Sequence, residues 1–317
     1  MINLTDIRHA AKTIAPYIKR TPLMKSDTLS ELLGTHVYVK YELFQKTGSF
    51  KVRGAFNKLL NLSDDKKKSG IVAISGGNHA QAVAYASDKL GIDAVVLMPS
   101  NTPKNYIEAT NKYGATIDLK PGIGEAFKAI DKYVAEGRTL VHPFDDEEIM
   151  CGQGTVGVEI MEDLPGATDI FISIGGGGFE GGVSTAIKSI SPDTKIFGVE
   201  TEGADAMTRA FNAGKPVEMQ ITSIAKTLGA PSVSDQTLAI AKKNLEEIIV
   251  VSDQQALESL EFILERLKVL TEPAASCTLA AAQLRKKNFT GNEKIVLIFC
   301  GGNISLSDLC HYRFGTA

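Results

Sequence analysis

Eight short apolar runs, each stopping at a glycine or a polar turn and each followed by a helical pattern, constrain this 317-residue chain more than any other feature. They are Val37 to Tyr41, Ile71 to Ile74, Ala94 to Met98, Thr116 to Leu119, Asp169 to Ile174, Lys195 to Val199, Ile248 to Val251 and Lys294 to Phe299. Runs this short and this rich in β-branched residues read as strands. Their alternation with helices predicts an α/β architecture of parallel sheets joined by crossover helices. The length exceeds what one compact core usually holds, so two lobes are expected. Open parallel sheets bind ligands beyond the carboxyl ends of their strands. Ser75, Gly175 and Cys300 each lie where a predicted strand stops.

With 34 basic and 37 acidic residues the formal net charge is -3, which gives no electrostatic reason to expect nucleic acid or an anionic membrane as partner. Leu4, Ile7, Ala11, Ile14 and Ile18 recur at helical spacing among Asp6, Arg8 and Lys12, a pattern unlike the apolar core of a signal peptide. No apolar stretch reaches the length of a membrane span. Cys151, Cys277, Cys300 and Cys310 lack paired metal-ligand spacing and sit in or beside apolar segments, so they read as reduced thiols of a cytoplasmic protein. Asp64-Asp65-Lys66-Lys67-Lys68 reads as a solvated face or turn.

Four separated motifs carry chemistry. Gln45-Lys46-Thr47-Gly48-Ser49-Phe50-Lys51 ends on a lysine and is followed by Ser75-Gly76-Gly77-Asn78-His79-Ala80. Gly175 to Gly178 follow one predicted strand, and Phe299-Cys300-Gly301-Gly302-Asn303 ends another. A lone lysine opening an amphipathic helix is ordinarily solvated. A lysine on short, well-packed backbone beside glycine-rich cradles is instead what a Schiff base to pyridoxal phosphate requires. The glycine run also allows a rival reading: Gly176-x-Gly178-x-x-Gly181, with Glu200 nineteen residues later, matches a dinucleotide fingerprint and would suggest an NAD-dependent oxidoreductase. That reading leaves Lys51, Asn78 and Cys300 without a role, and it places the motif mid-chain. Backbone amides freed by glycines serve the phosphate of pyridoxal phosphate equally well.

With Lys19-Arg20-Thr21-Pro22-Leu23, Met98-Pro99, Tyr113-Gly114-Ala115, His142-Pro143-Phe144-Asp145-Asp146, Gly152-Gln153-Gly154-Thr155 and Glu272-Pro273-Ala274, nearly the whole chain resembles the threonine and serine dehydratases and serine racemase. These belong to the tryptophan-synthase-β superfamily, fold type II pyridoxal phosphate enzymes. The resemblance implies two lobes, each an open parallel-rich sheet with helices on both faces. The larger, cofactor-binding lobe would comprise residues 1–60 plus 147–317 and the smaller, mobile lobe 61–146. No C-terminal regulatory domain is expected after Asn303, and relatives suggest a homodimer or homotetramer.

Carried over position by position, the resemblance makes Lys51 the Schiff-base residue and the base that takes the α-proton. Phe50 would cover a face of the cofactor ring, Asn78 would bond its phenolic oxygen, and Gly175, Gly176, Gly177 and Gly178 would hold its phosphate. Cys300 would face the pyridine nitrogen as a neutral partner, which favours β-elimination over transamination. Ser75, Asn78 and His79 would bind the substrate carboxylate, although a satisfied structural histidine is the plainer reading of His79. The expected reaction is loss of the β-hydroxyl from L-threonine or L-serine, giving a 2-oxo acid and ammonia. The alternatives are another 3-hydroxy amino acid, such as 3-hydroxyaspartate or phenylserine, and then serine racemisation.

Three positions depart from the family pattern. Gly76 stands where serine racemase has a second serine, and glycine cannot carry a proton. Glu200, Ala204 and Ala206 match a divalent-cation site that needs one more carboxylate, so a cation is doubtful despite Glu202 and Asp205 nearby. Lys226 replaces a residue that is usually acidic, and nothing in the sequence explains the change.

Overall fold

A computed structural model describes residues 1–314. Among the described residues ten strands build two sheets. The larger has the order β1-β2-β10-β7-β8-β9, formed by Leu23–Lys25, His36–Tyr41, Lys294–Phe299, Asp169–Ser173, Lys195–Thr201 and Glu247–Val251. The smaller has the order β5-β4-β3-β6, formed by Thr116–Lys120, Ala94–Pro99, Ile71–Ile74 and Thr139–Leu140. All pairings are parallel except that of β1 with β2. The eight expected strands all form. β1 and β6 escaped the sequence reading because runs of three and two residues carry no period, and only neighbours identify them.

The central strands are buried on both faces, which is why Ile295–Phe299 and Ile170–Ile172 read as unbroken apolar runs. Around them Phe171, Phe197 and the Ala274–Ala282 segment form the largest core, while Val52, Phe56, Leu59, Val83 and Val96 form a second core beside the smaller sheet. The amphipathic start folds as the helix Leu4–Ile14, capped by Asn3, whose Oδ1 accepts from the amides of Thr5 at 2.8 Å and Asp6 at 3.1 Å. Asp64–Ser69 is a short solvated helix. The four cysteines are unpaired, but Cys310 is exposed on the helix Leu306–Phe314, unlike the other three. Among the described residues no helix is long and apolar enough to cross a membrane.

Candidate active site

The carboxyl ends of β3, β7 and β10 converge on one cavity of about 480 Å³, lined among others by Lys51, Ser75, Asn78, Gly175–Gly178, Glu272 and Cys300. That volume suits a small cofactor with its substrate. Lys51 opens the helix Lys51–Leu60. The loop before it is pinned to the end of β10: the Phe50 amide donates to the Cys300 carbonyl at 3.1 Å and the Gly302 amide donates to the Gly48 carbonyl at 3.0 Å. Gly48 is in the left-handed region at φ 73°, and a Cβ there would lie 2.5 Å from Asn303 Oδ1, so the turn requires glycine. Backbone contacts thus fix the lysine beside the cysteine, although 249 residues of chain separate them.

Lys51 Nζ donates to the Pro143 carbonyl at 2.8 Å. Burial lowers its pKa to about 8, against a smaller upward pull from Cys300 and Glu272. Two residues on, fully buried Arg53 bonds Glu42 at 2.8 Å and Glu159 at 2.7 Å, and buried Lys40 bonds Glu159 at 2.5 Å. Two cations therefore face two carboxylates, which satisfies a network that would be costly if incomplete. The Phe50 ring stacks on Phe179 at 3.7 Å between centroids, so one of its faces is already covered.

Gly175–Gly178 connect β7 to the helix Gly178–Ile190. A Cβ on Gly176 would lie 2.3 Å from the Phe144 ring and one on Gly178 2.6 Å from the Phe144 carbonyl oxygen. Gly177 is left-handed at φ 90°, with Met207 and Thr237 each 2.7 Å from where its Cβ would be. Gly176, Gly177 and Gly178 have no room for a side chain, and the loop's amides precede a 13-residue helix and form a cradle suited to a phosphate. Cys300 is buried, accepting from Ser173 Oγ at 3.4 Å. Burial pushes its thiol pKa well up, so it stays neutral.

On the smaller sheet, Ser75 Oγ accepts from the Gly77 amide at 3.1 Å, shaping the turn into the helix Asn78–Leu90. Asn78 Nδ2 donates to Glu272 Oε1 at 2.8 Å, and Asn78 Oδ1 accepts from Asn303 Nδ2 at 2.7 Å, leaving one amide N–H for a ligand. The His79 ring is committed to the protein. Its Nε2 lies 2.9 Å from the Val141 carbonyl, which can only accept, so Nε2 carries the proton and Nδ1 is an acceptor. Burial holds the ring neutral, with pKa lowered to about 3. Only the His79 backbone amide can serve an anion.

The sequence reading missed Glu272, Thr227 and Tyr106 as site residues. Glu272 is buried, accepts from Thr227 Oγ1 at 3.1 Å as well as from Asn78, and is raised by burial to about 7. The Pro273 that starts its helix signalled a helix end but not what the carboxylate faces. Tyr106, in the helix Lys104–Lys112, donates to the Asn303 carbonyl across the cavity. Glu200, needed by the dinucleotide reading, accepts instead from the Met207 and Thr208 amides, each at 2.8 Å, and so caps the helix Ala206–Ala213. The Asp205 carboxylate beside it accepts from Arg209 at 3.0 Å.

A family model described as "Pyridoxal-phosphate dependent enzyme" matches residues 14–301. The chain is 39% identical to an L-threonine ammonia-lyase of Thermotoga maritima, over 97% of this chain and 77% of that one. It is 37% identical to a catabolic L-threonine dehydratase of Staphylococcus aureus, over 97% and 90%. Its fold superposes on maize serine racemase with a TM-score of 0.93 at 35% identity, covering 97% and 95%. The lysine fixed beside a neutral thiol, the glycine cradle and these likenesses agree, and the chain belongs to the pyridoxal phosphate-dependent enzymes of fold type II, in the threonine/serine dehydratase family.

Proposed function

We propose that this enzyme is an ammonia-lyase that dehydrates L-threonine and L-serine to the corresponding 2-oxo acid and ammonia. The carrying observation is a half-buried lysine of lowered pKa and a thiol held neutral at the end of β10, beside the glycine cradle that follows the neighbouring β7. The two relatives named for threonine breakdown support the substrate. When bound, pyridoxal phosphate withdraws electrons from the bonds at the substrate α-carbon.

The chain's own residues do the rest. Lys51 holds the cofactor and, as a neutral amine, accepts the proton from the substrate α-carbon. Gly175–Gly178 hold the phosphate through backbone amides, and the free N–H of Asn78 meets the phenolic oxygen. Phe50 packs against the ring, and the Cys300 thiol meets the ring nitrogen without adding charge. Ser75 and the amides that start the Asn78–Leu90 helix bind the carboxylate. The β-hydroxyl leaves with a proton, so that the α-proton and the hydroxyl depart together as one water, and the released enamine then takes up water and yields the oxo acid and ammonia. Residues 61–146 form the lobe that closes over the substrate and excludes water, and the chain assembles as a homodimer or homotetramer.

The test is oxo acid release by purified holoenzyme from L-threonine, L-serine, both 3-hydroxyaspartates and phenylserine. Lys51→Ala should lower turnover at least about 10³-fold, within the range for loss of a proton-transfer group. A Lys51→Ala protein that keeps its turnover would refute the assignment. Lys226, exposed at the cavity rim, favours 3-hydroxyaspartate as the second reading, because a cation there suits a second carboxylate. Preference for hydroxyaspartate over threonine would select it.

A further inference from the structure

We infer that Thr102 is a substrate-binding residue whose hydroxyl donates a hydrogen bond to the carboxylate of the amino acid. This rests on the dehydratase reading and adds a residue that the motifs did not mark. Thr102 lies in the turn after β4, where its amide donates to the Pro99 carbonyl at 3.0 Å. β4 pairs with β3, so this turn packs beside the Ser75–Asn78 loop that follows β3. A Cβ built on Gly76 would come 2.6 Å from Thr102 Oγ1 and 3.6 Å from its Cβ. The hydroxyl therefore fills the space directly over Gly76.

Thr102 is 8% exposed, lines the cavity, and its Oγ1 has no hydrogen-bond partner among the described residues. A buried hydroxyl without a partner is costly, and a ligand atom that completes it removes that cost. The surroundings select an anion. The first amides of the Asn78–Leu90 helix lack intrahelical acceptors and carry the positive end of its dipole. The phosphate cradle sits on the other sheet, at Gly175–Gly178. The anion left for the Gly76 side is the α-carboxylate of the substrate.

The test compares holoenzymes of wild type, Thr102→Val and Thr102→Ser with L-threonine and L-serine. Thr102→Val should raise KM about tenfold or more with kcat within about threefold, the pattern of a lost hydrogen bond to a charged group that binds ground and transition states alike. Thr102→Ser should stay near wild type. Cofactor content and absorbance should be the same in all three, which a merely structural role would not guarantee. L-threoninamide, lacking the carboxylate, should perturb the cofactor absorbance of wild type and Thr102→Val at the same concentrations. Thr102→Ala repeats the comparison if the valine variant does not fold. An active wild type whose KM is unchanged by loss of the hydroxyl overturns this assignment alone. A wild type that neither turns over nor spectrally responds to any of the amino acids overturns it together with the dehydratase reading.

Discussion

The two sheets meet the cavity in opposite ways. At the end of the larger sheet the glycine loop is crowded and the lysine is paired. Gly176, Gly177 and Gly178 have protein atoms where any side chain would go, Lys51 is bonded to Pro143, and the Arg53 network beneath it is complete. At the end of the smaller sheet, groups are left open. A Cβ on Gly76 would meet closely only the Thr102 side chain, one on Gly77 would meet nothing nearer than 3.3 Å, and Thr102 Oγ1 and His79 Nδ1 have no partners. A preorganised wall suits a cofactor that stays through every turnover, since nothing need be ordered again. Unfilled hydrogen bonds suit a substrate that must enter, be oriented and leave.

The largest effect expected from this contrast is at Arg53. Arg53→Met leaves Glu42 buried without its cation and should cost about 3–5 kcal/mol in urea unfolding, as broken buried pairs do. Unchanged stability would show the large-sheet wall to be less tightly determined than its contacts suggest. Gly177→Ala adds both a left-handed strain and contacts at 2.7 Å. It should weaken cofactor retention about 10- to 100-fold, matching the 1–3 kcal/mol typical of overpacking. Gly77→Ala, on the open wall, should change it by less than about twofold, and equal losses at both glycines would erase the distinction.

Reloading of the apoenzyme sharpens the comparison further. Only the neutral amine of Lys51 bonds an aldehyde, and burial has lowered its pKa to about 8. Below that pH the ammonium dominates. The reloading rate, followed by absorbance, should therefore rise about tenfold per unit up to pH 8 and then level. A rise continuing toward pH 10 would mean an ordinary, solvated lysine. The smallest effect belongs to Tyr106→Phe, which removes one hydroxyl reaching from the helix Lys104–Lys112 to Asn303. A shift in KM of about two- to tenfold is expected, the worth of one neutral hydrogen bond.

Much of this was legible in order along the chain. β-branched runs ending at Ser75, Gly175 and Cys300 placed the strands and their carboxyl ends, because strand period and turn chemistry are local. The glycine run marked its loop for a similar reason: four consecutive residues without side chains are unusual unless backbone must approach something closely. Glu200 shows where local reading stops. Its spacing suited a ribose, yet its oxygens face the amides of Met207 and Thr208. Spacing counts residues, whereas a carboxylate answers to whichever donors the packed chain brings near.

The sequence by itself determined the class of fold, the lysine and its four motifs, since each is written in neighbouring residues. Only the tertiary structure decided that Lys51 lies beside Cys300, that His79 spends its one proton on Val141, and that Thr102 stands over Gly76. Those facts depend on contacts between segments 26 to 249 residues apart. They are set by burial and by the pairing of each buried polar group, which no stretch of sequence carries alone.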